Sequence, residues 1–295
     1  MPLSTFANGL VHALNYLNAS TMATLVGQVP EIFELKLAST SSGSGSDKHI
    51  SSKQITLLAP LNEAFHGSGI SQLSTSDLQD LLNYHILDVW IPNRNGRYVS
   101  PSLLTRYTDL PHSHPTQSLI VDVNGSFTTI VTPLSRLCVQ AKSSYMHLHI
   151  WTIPQLIQIP EDFFNTLSAM KMDQVADFVS SAFLAHVIRG MTGVTAFVPT
   201  SQAFYEHHHH NKQNHQDNKR DIALRHFSTN RTLIYSSDLV DGMSLETLYG
   251  TCVAIVNGLD GRKKVVGNDG YTTANILRTD ILLSNGVIHI IDKVL

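Results

Sequence analysis

Thr195-Ala-Phe-Val-Pro-Thr-Ser-Gln-Ala-Phe204 decides how the whole chain is read, because Thr56-Leu-Leu-Ala-Pro-Leu-Asn-Glu-Ala-Phe65 states the same pattern 139 residues earlier. Leu148-His149-Ile150 is echoed by Ile288-His289-Ile290 at a spacing of 140, and Tyr84-His85 by Arg225-His226 at 141. Three matches at nearly one spacing indicate a tandem duplication. The apolar runs Ile55–Ala59 and Val194–Val198 have strand length and composition, and Pro60 or Pro199 ends each, since proline donates nothing to a ladder. Asn62 or Ser201 is the candidate cap of a short helix that follows.

Working outward, each copy opens with helical periodicity. Leu10, Ala13, Leu14 and Leu17, then Met22, Leu25, Val26 and Val29, fall on one face, with Ser20 or Thr21 as a cap between the two sets. Phe164, Leu167, Met170, Val175, Phe178, Val179, Phe183 and Val187 are expected to do the same in the second copy. The rest of each copy reads as strands, and Asn124-Gly125, Asn257-Gly258 and Asn285-Gly286 are hairpin-type turn signals. Two insertions interrupt the pattern: Ser39–Ser46 (STSSGSGS), and the His-rich His207–Arg220 in the second copy alone.

A length of 295 residues suits two domains, each able to bury a core. The chain is 42% hydrophobic and only 15% charged, so neutral polar groups solvate much of its surface. A net charge of −3 with scattered Lys and Arg offers no basic stripe, which argues against a nucleic-acid partner. No apolar run reaches the length of a membrane span, and the first twenty residues lack a secretory layout. Because the sequence stops straight after a strand-like run, it reads as a mature fragment or an incomplete gene model. Cys138 and Cys252 occupy unequal places in the two copies, so no disulfide framework is expected, and both are read as small buried residues on strands.

The strand-proline box, the histidine about 20 residues later, the Val-Asn-Gly turn and the closing Ser284-Asn-Gly-Val-Ile-His-Ile-Ile-Asp-Lys-Val-Leu295 together resemble the fasciclin domain, twice over. The second copy carries both boxes. The first departs at Ser144–Leu156, where the Asn-Gly pair is missing and Thr152 stands where the second copy has Asp292. The resemblance implies an α+β fold of two tandem domains, each a twisted β-sandwich or wedge with packed helices, spanning residues 1–159 and 160–295. It also implies adhesion at cell surfaces or in extracellular matrix through protein or glycan contacts, homophilic ones included, with no cofactor.

Pro60, Asn62, Phe65, His85, His149, Pro199, Phe204, His226, Asn285, Gly286, His289 and Asp292 belong to the family's boxes and are read as structural. Each histidine could be imagined as a general base, but no activated Ser or Cys and no carboxylate pair stands at a telling spacing. Alternation sets His289 opposite in facing to Ile288 and Ile290, where it would bond a backbone carbonyl or Asp292. Apolar groups on both faces of this last strand argue for burial. Asn18, Asn124 and Asn230 begin glycosylation sequons that fit a secreted, cell-surface glycoprotein.

His207, His208, His209, His210 and His215 invite a metal hypothesis, yet nothing in the sequence fixes a tetrahedron, and no metal site is assigned. The leading expectation is therefore a non-enzymatic extracellular adhesion or interaction protein. A vacuolar or endosomal lumenal part of a membrane-tethered trafficking factor is the alternative, and a metal-dependent binder or enzyme using the His-rich loop is the alternative of another class.

Overall fold

The computed structural model describes residues 5–29, 31–32, 54–106, 115–210, 219–229 and 233–295. The chain divides into two compact units that meet in sequence between Ile159 and Pro160. Both units are α+β. Neither the Ser39–Ser46 insertion nor most of the His-rich one falls within the described residues.

The first unit starts with α1 (Thr5–Tyr16) and α2 (Ser20–Gln28), whose buried Leu10, Leu14, Met22, Leu25 and Val26 lie on the predicted face. Strand β1 (Ile55–Pro60) leads through a 3-10 turn, Asn62–Phe65, to α3 (Thr75–Tyr84). Ser74 caps α3 by accepting from the Asp77 N–H at 3.2 Å, and Leu78, Leu81 and Leu82 form its buried stripe. Strands β2 (Ile86–Leu87), β3 (Gly96–Thr105), β4 (Thr116–Asn124), β5 (Phe127–Val131), β6 (Arg136–Cys138), β7 (Ala141–Tyr145) and β8 (Leu148–Ile153) complete a sheet in the order β6-β5-β4-β3-β2-β1-β8-β7. All pairs are antiparallel except β1 with β8. The two outermost strands, β6 and β7, are consecutive in the chain, so the sheet curls until its ends meet. Val139 N–H still bonds Thr128 on β5, while Gln140 N–H has crossed to Thr152 on β8.

The second unit repeats this plan with α4 (Phe163–Ala169), α5 (Asp173–Ser181), α6 (Ala185–Gly190), β9 (Val194–Pro199), α7 (Ser201–His210) and α8 (Lys219–Leu224). Then come β10 (Ser244–Glu246), β11 (Cys252–Asn257), β12 (Lys263–Val266), β13 (Thr273–Leu282) and β14 (Gly286–Ile291), in the order β10-β11-β12-β13-β14-β9. Again only the first and last strands, β9 and β14, pair in parallel. Where the first unit breaks between β6 and β7, β13 runs on through a register shift with Asp280 in the left-handed region at φ 61°.

The parallel pair is the spine of each unit, because both of its faces are covered. In the first, Ile55, Leu57, Ala59, Leu148 and Ile150 face the helices, while Leu58, Trp151 and Ile153 face the inside of the curl. In the second, Val194, Ala196, Val198, Ile288 and Ile290 face the helices, and Phe197 and Ile291 face the curl. All six residues of β14 are buried, as two covered faces require.

Four details differ from the sequence reading. Phe183 is 86% exposed, because α5 ends at Ser181 and Phe183 turns outward at φ 58°; Val187 sits on the open side of α6, whose buried residue is Ile188. The predicted caps are displaced too: Thr200, not Ser201, accepts from the Ala203 N–H at 3.2 Å, and neither Ser20 nor Asn62 caps its own helix. Cys138 and Cys252 do lie on strands, but at outward-facing positions, exposed and unpaired. Finally, Thr56 pairs with His149 and Thr195 with Val287, so the closing strands correspond at a spacing of 138, not 140. Trp151 therefore occupies the place of His289, His149 that of Val287, and Pro154, rather than Thr152, that of Asp292. The Leu-His-Ile likeness was two residues out of register, a slip that preserves strand facing and so leaves no trace in alternation.

Candidate functional site

His85 closes α3 and is buried. Its Nδ1 lies 2.8 Å from the Leu81 carbonyl, and its Nε2 accepts from the Ile157 N–H at 3.1 Å. His226, buried as well, sets Nδ1 2.6 Å from the Phe197 carbonyl and accepts at Nε2 from the Leu295 N–H at 3.2 Å. A carbonyl can only accept and an amide can only donate, so both rings are neutral with the proton on Nδ1. Their own carbonyls are used alike: His85 accepts from Leu58 N–H at 2.8 Å and His226 from Phe197 N–H at 2.9 Å. Each histidine thus links the first strand of its unit, through its backbone carbonyl, to the segment that follows the last, through its ring; the His226 ring also reaches the first strand at Phe197, whereas the His85 ring bonds Leu81 on its own helix.

Burial lowers both imidazoles to about 4. Against that, the Leu81 and Phe197 carbonyls pull upward, while His207 and Arg225 lower His226 further. His289 is arranged differently. Its Nε2 donates to the Ile234 carbonyl at 2.8 Å, its ring stacks on Phe197 with centroids 5.5 Å apart, and Nδ1 has no partner among the described residues. Burial lowers its pKa, with Asp280 pulling the other way. His149 lies nearer the surface, with Nε2 3.2 Å from Gln54 Oε1 and its ring 6.3 Å from Trp90.

Asn285 and Gly286 form a clamp at the start of β14. The Asn285 carbonyl accepts from Gly193 and Val194 N–H at 3.1 and 2.9 Å, and its side-chain amide donates to the Ile188 and Met191 carbonyls at 2.8 and 3.0 Å. A Cβ on Gly286 would stand 2.3 Å from the Val194 oxygen, so only glycine fits against β9. Asp292 holds the other end of the strand, its Oδ1 accepting from the Asn275 N–H at 2.7 Å and its Oδ2 from the Asn275 side chain at 2.5 Å. In the first unit the clamp is replaced by His147-Leu148: the His147 carbonyl still accepts from Ile55 N–H at 3.4 Å, but its ring stacks on Phe6 of α1.

The remaining box residues also bond or pack within their own unit. Asn62 Oδ1 accepts from the Thr21 N–H at 3.0 Å, capping α2 from across the unit, and its amide donates to Asn18 Oδ1 at 2.9 Å. Phe65 packs beneath α1 and α2, and Phe204 packs edge-on against Phe178 at 4.8 Å. Pro60 and Pro199 are the last ladder residues of β1 and β9.

Several partners had no sequence signal. Thr56 Oγ1 donates to the Val89 carbonyl at 3.0 Å, and the matching Thr195 Oγ1 accepts from Ile234 N–H at 3.1 Å. Asp280 receives Ser236 N–H at 2.6 Å and Ser236 Oγ–H at 2.5 Å, beside Lys263, whose ammonium donates to the Ser236 and Leu239 carbonyls.

The surface offers other chemistry. Asn18 and Asn124 are exposed, Asn124 at the β4–β5 turn; Asn230 lies outside the described residues. On the outer face of the first sheet Asp122 bridges Arg97 and Arg136 at 2.7 and 2.6 Å. Burial raises the Asp122 carboxyl, but the two guanidiniums outweigh it and hold it below the usual carboxylate range. Among the described residues no three His, Cys, Asp or Glu side chains gather as metal ligands would, and no helix is long and apolar enough to cross a membrane. The side chains of His208, His209, His210 and His215 lie outside the description.

Two α+β units, each built on a parallel first and last strand and an inward box histidine, define a tandem arrangement of one domain type. The fasciclin domain model matches residues 35–130 and 170–295, about three quarters of the chain, and the chain belongs to that family. Its tandem domains are of an adhesion-type family. A curated relative, the fasciclin-like arabinogalactan protein CTB11 of Cercospora beticola, is 28% identical over 167 residues, 56% of this chain and 41% of that protein. The chain therefore spans about two fifths of that relative's length. A solved FAS1 domain pair from the insect cell adhesion molecule Fasciclin I aligns with 95% of this chain and 97% of its own, at 19% identity and a TM-score of 0.43.

Proposed function

We propose that this chain is a non-enzymatic adhesion or interaction protein of the cell surface or extracellular space, with fasciclin domains over residues 1–159 and 160–295. The observation that carries the reading is the double family match, at 35–130 and 170–295. The bonds made by the box residues support it. The His85, His226, His289, Asn285 and Asp292 side chains bond backbone or neighbouring strands, so recognition falls to the loops and outer sheet faces. In this reading Pro60, Asn62, Phe65, His149, Pro199, Phe204 and Gly286 are structural too.

The partners that fit are proteins or glycans of a matrix or cell wall, including a second copy of the chain. Two domains in series let weak contacts add through effective concentration. The sequons at Asn18 and Asn124 begin at exposed residues, as a glycoprotein requires. The test is to pass the purified full chain over immobilised cell-wall polysaccharides and matrix proteins, and to measure self-association by sedimentation. Saturable binding to at least one of these is expected; binding to none contradicts the reading. Peptide mapping with and without N-glycosidase checks the exported state, with a glycan expected at Asn124.

A further inference from the structure

Both domains fasten the segment after their last strand in the same way. The donors, Ile157 N–H and Leu295 N–H, stand 138 residues apart, the spacing of the closing strands themselves, and each meets the Nε2 of a buried histidine. Nε2 can accept only while it carries no proton. A proton there sets N–H against N–H, removes the bond and places a charge in apolar surroundings. Around His226 those surroundings are Phe163, Val179, Val198, Phe204, Phe227 and Val294.

The groups facing each ring oppose charging it. His207 on α7 and the adjacent Arg225 act on His226, and both favour the neutral ring. At His85 the interacting group is the Leu81 carbonyl on α3, and no charged side chain among the described residues compensates a proton. His289 serves as the contrast. Its Nε2 already donates to Ile234, so a proton arriving at Nδ1 breaks no bond, and Asp280 and Asp238 favour it while Lys263 opposes it.

We propose that His85 and His226 are acid-released latches: a proton on Nε2 frees the segment at Ile157, which leads out of the first domain, and the segment at Leu295, while the parallel strands stay paired. The released backbone exposes its amides and the apolar residues Ile157, Val294 and Leu295, which are buried when latched. Acid thereby uncovers surface at the same corner of each domain.

Hydrogen exchange on the intact chain, corrected for intrinsic rates and followed from pH 7.5 to pH 4.5, reads the latches directly. With a free imidazole at 6.5 and a latched one at about 4, the opening equilibrium at Ile157 and Leu295 rises by a factor on the order of 70 over that range. Protection of the β1, β8, β9 and β14 amides is expected to persist where those two amides have lost theirs. Unchanged protection at Ile157 and Leu295, or loss only together with the strands, overturns the proposal. His85→Gln should abolish the acid step at Ile157 and leave the one at Leu295, and His226→Gln the reverse. A step retained in the substituted domain also overturns it, and should a variant fail to fold, the wild-type exchange profile decides alone.

Discussion

The two domains keep the same latch and differ in the clamp. Where the second has Asn285-Gly286, the first has His147-Leu148, and the Leu148 side chain fills the helix-side core at the point where Gly286 leaves no room for one. The backbone bonds of the turn survive: Ile55 N–H finds the His147 carbonyl as Val194 N–H finds that of Asn285. What is lost is the side-chain tie from Asn285 to Ile188 and Met191. Strand pairing and the histidine latch are common to both domains, while the terminal box is one of several ways to seat the last strand.

Removing a latch should cost most. His85→Ala leaves the Ile157 N–H buried without a partner and takes the ring donor from the Leu81 carbonyl, which keeps only the backbone N–H of residue 85, and with the cavity the loss is about 4 kcal/mol. Both tryptophans, Trp90 and Trp151, lie in the first domain, so His85→Ala should move the fluorescence-detected denaturation midpoint. His226→Ala should lower stability by far-UV circular dichroism while the fluorescence transition stays in place. The pH dependence follows with its sign. Unfolded imidazoles take up protons near 6.5 and the latched ones only near 4, so stability is full above pH 6.5 and drains as pH falls towards 4. Each latch accounts for about 3 kcal/mol of that loss.

Next in size, Gly286→Ala forces a Cβ against the Val194 oxygen and should cost the second domain about 3 kcal/mol by denaturant titration. Equal stability would mean that the close approach of β14 to β9 is not real. Asn285→Ala, which takes the side-chain donor from the Ile188 and Met191 carbonyls, should cost about 2 kcal/mol in the same assay, with the first domain's fluorescence transition unmoved. Smallest is Asn62→Ala: the α2 N-terminus loses its acceptor, and the fluorescence midpoint should fall by the equivalent of about 1 kcal/mol.

Much of this was legible in the sequence, for identifiable reasons. The strand-proline boxes announce β1 and β9 because proline terminates a ladder, and the Asn-Gly pairs announce turns because their backbone demands are local. Long-range partners carry no such signal. Ile157 donates through its backbone to a histidine 72 residues away, and no residue type encodes that. The outward turn of Phe183 was hidden because periodicity cannot see a helix end that no glycine or proline marks. His149 was matched to His289 by likeness of letters, and only pairing with β1 shows that Trp151 holds that place.

Long-range proton–nitrogen spectra of the histidine-labelled intact chain at pH 7 test the shared latch most directly. The account predicts that His85 and His226 are both neutral with the proton on Nδ1, and that His289 is neutral with the proton on Nε2. A charged ring, or the Nε2–H tautomer at His85 or His226, would contradict it.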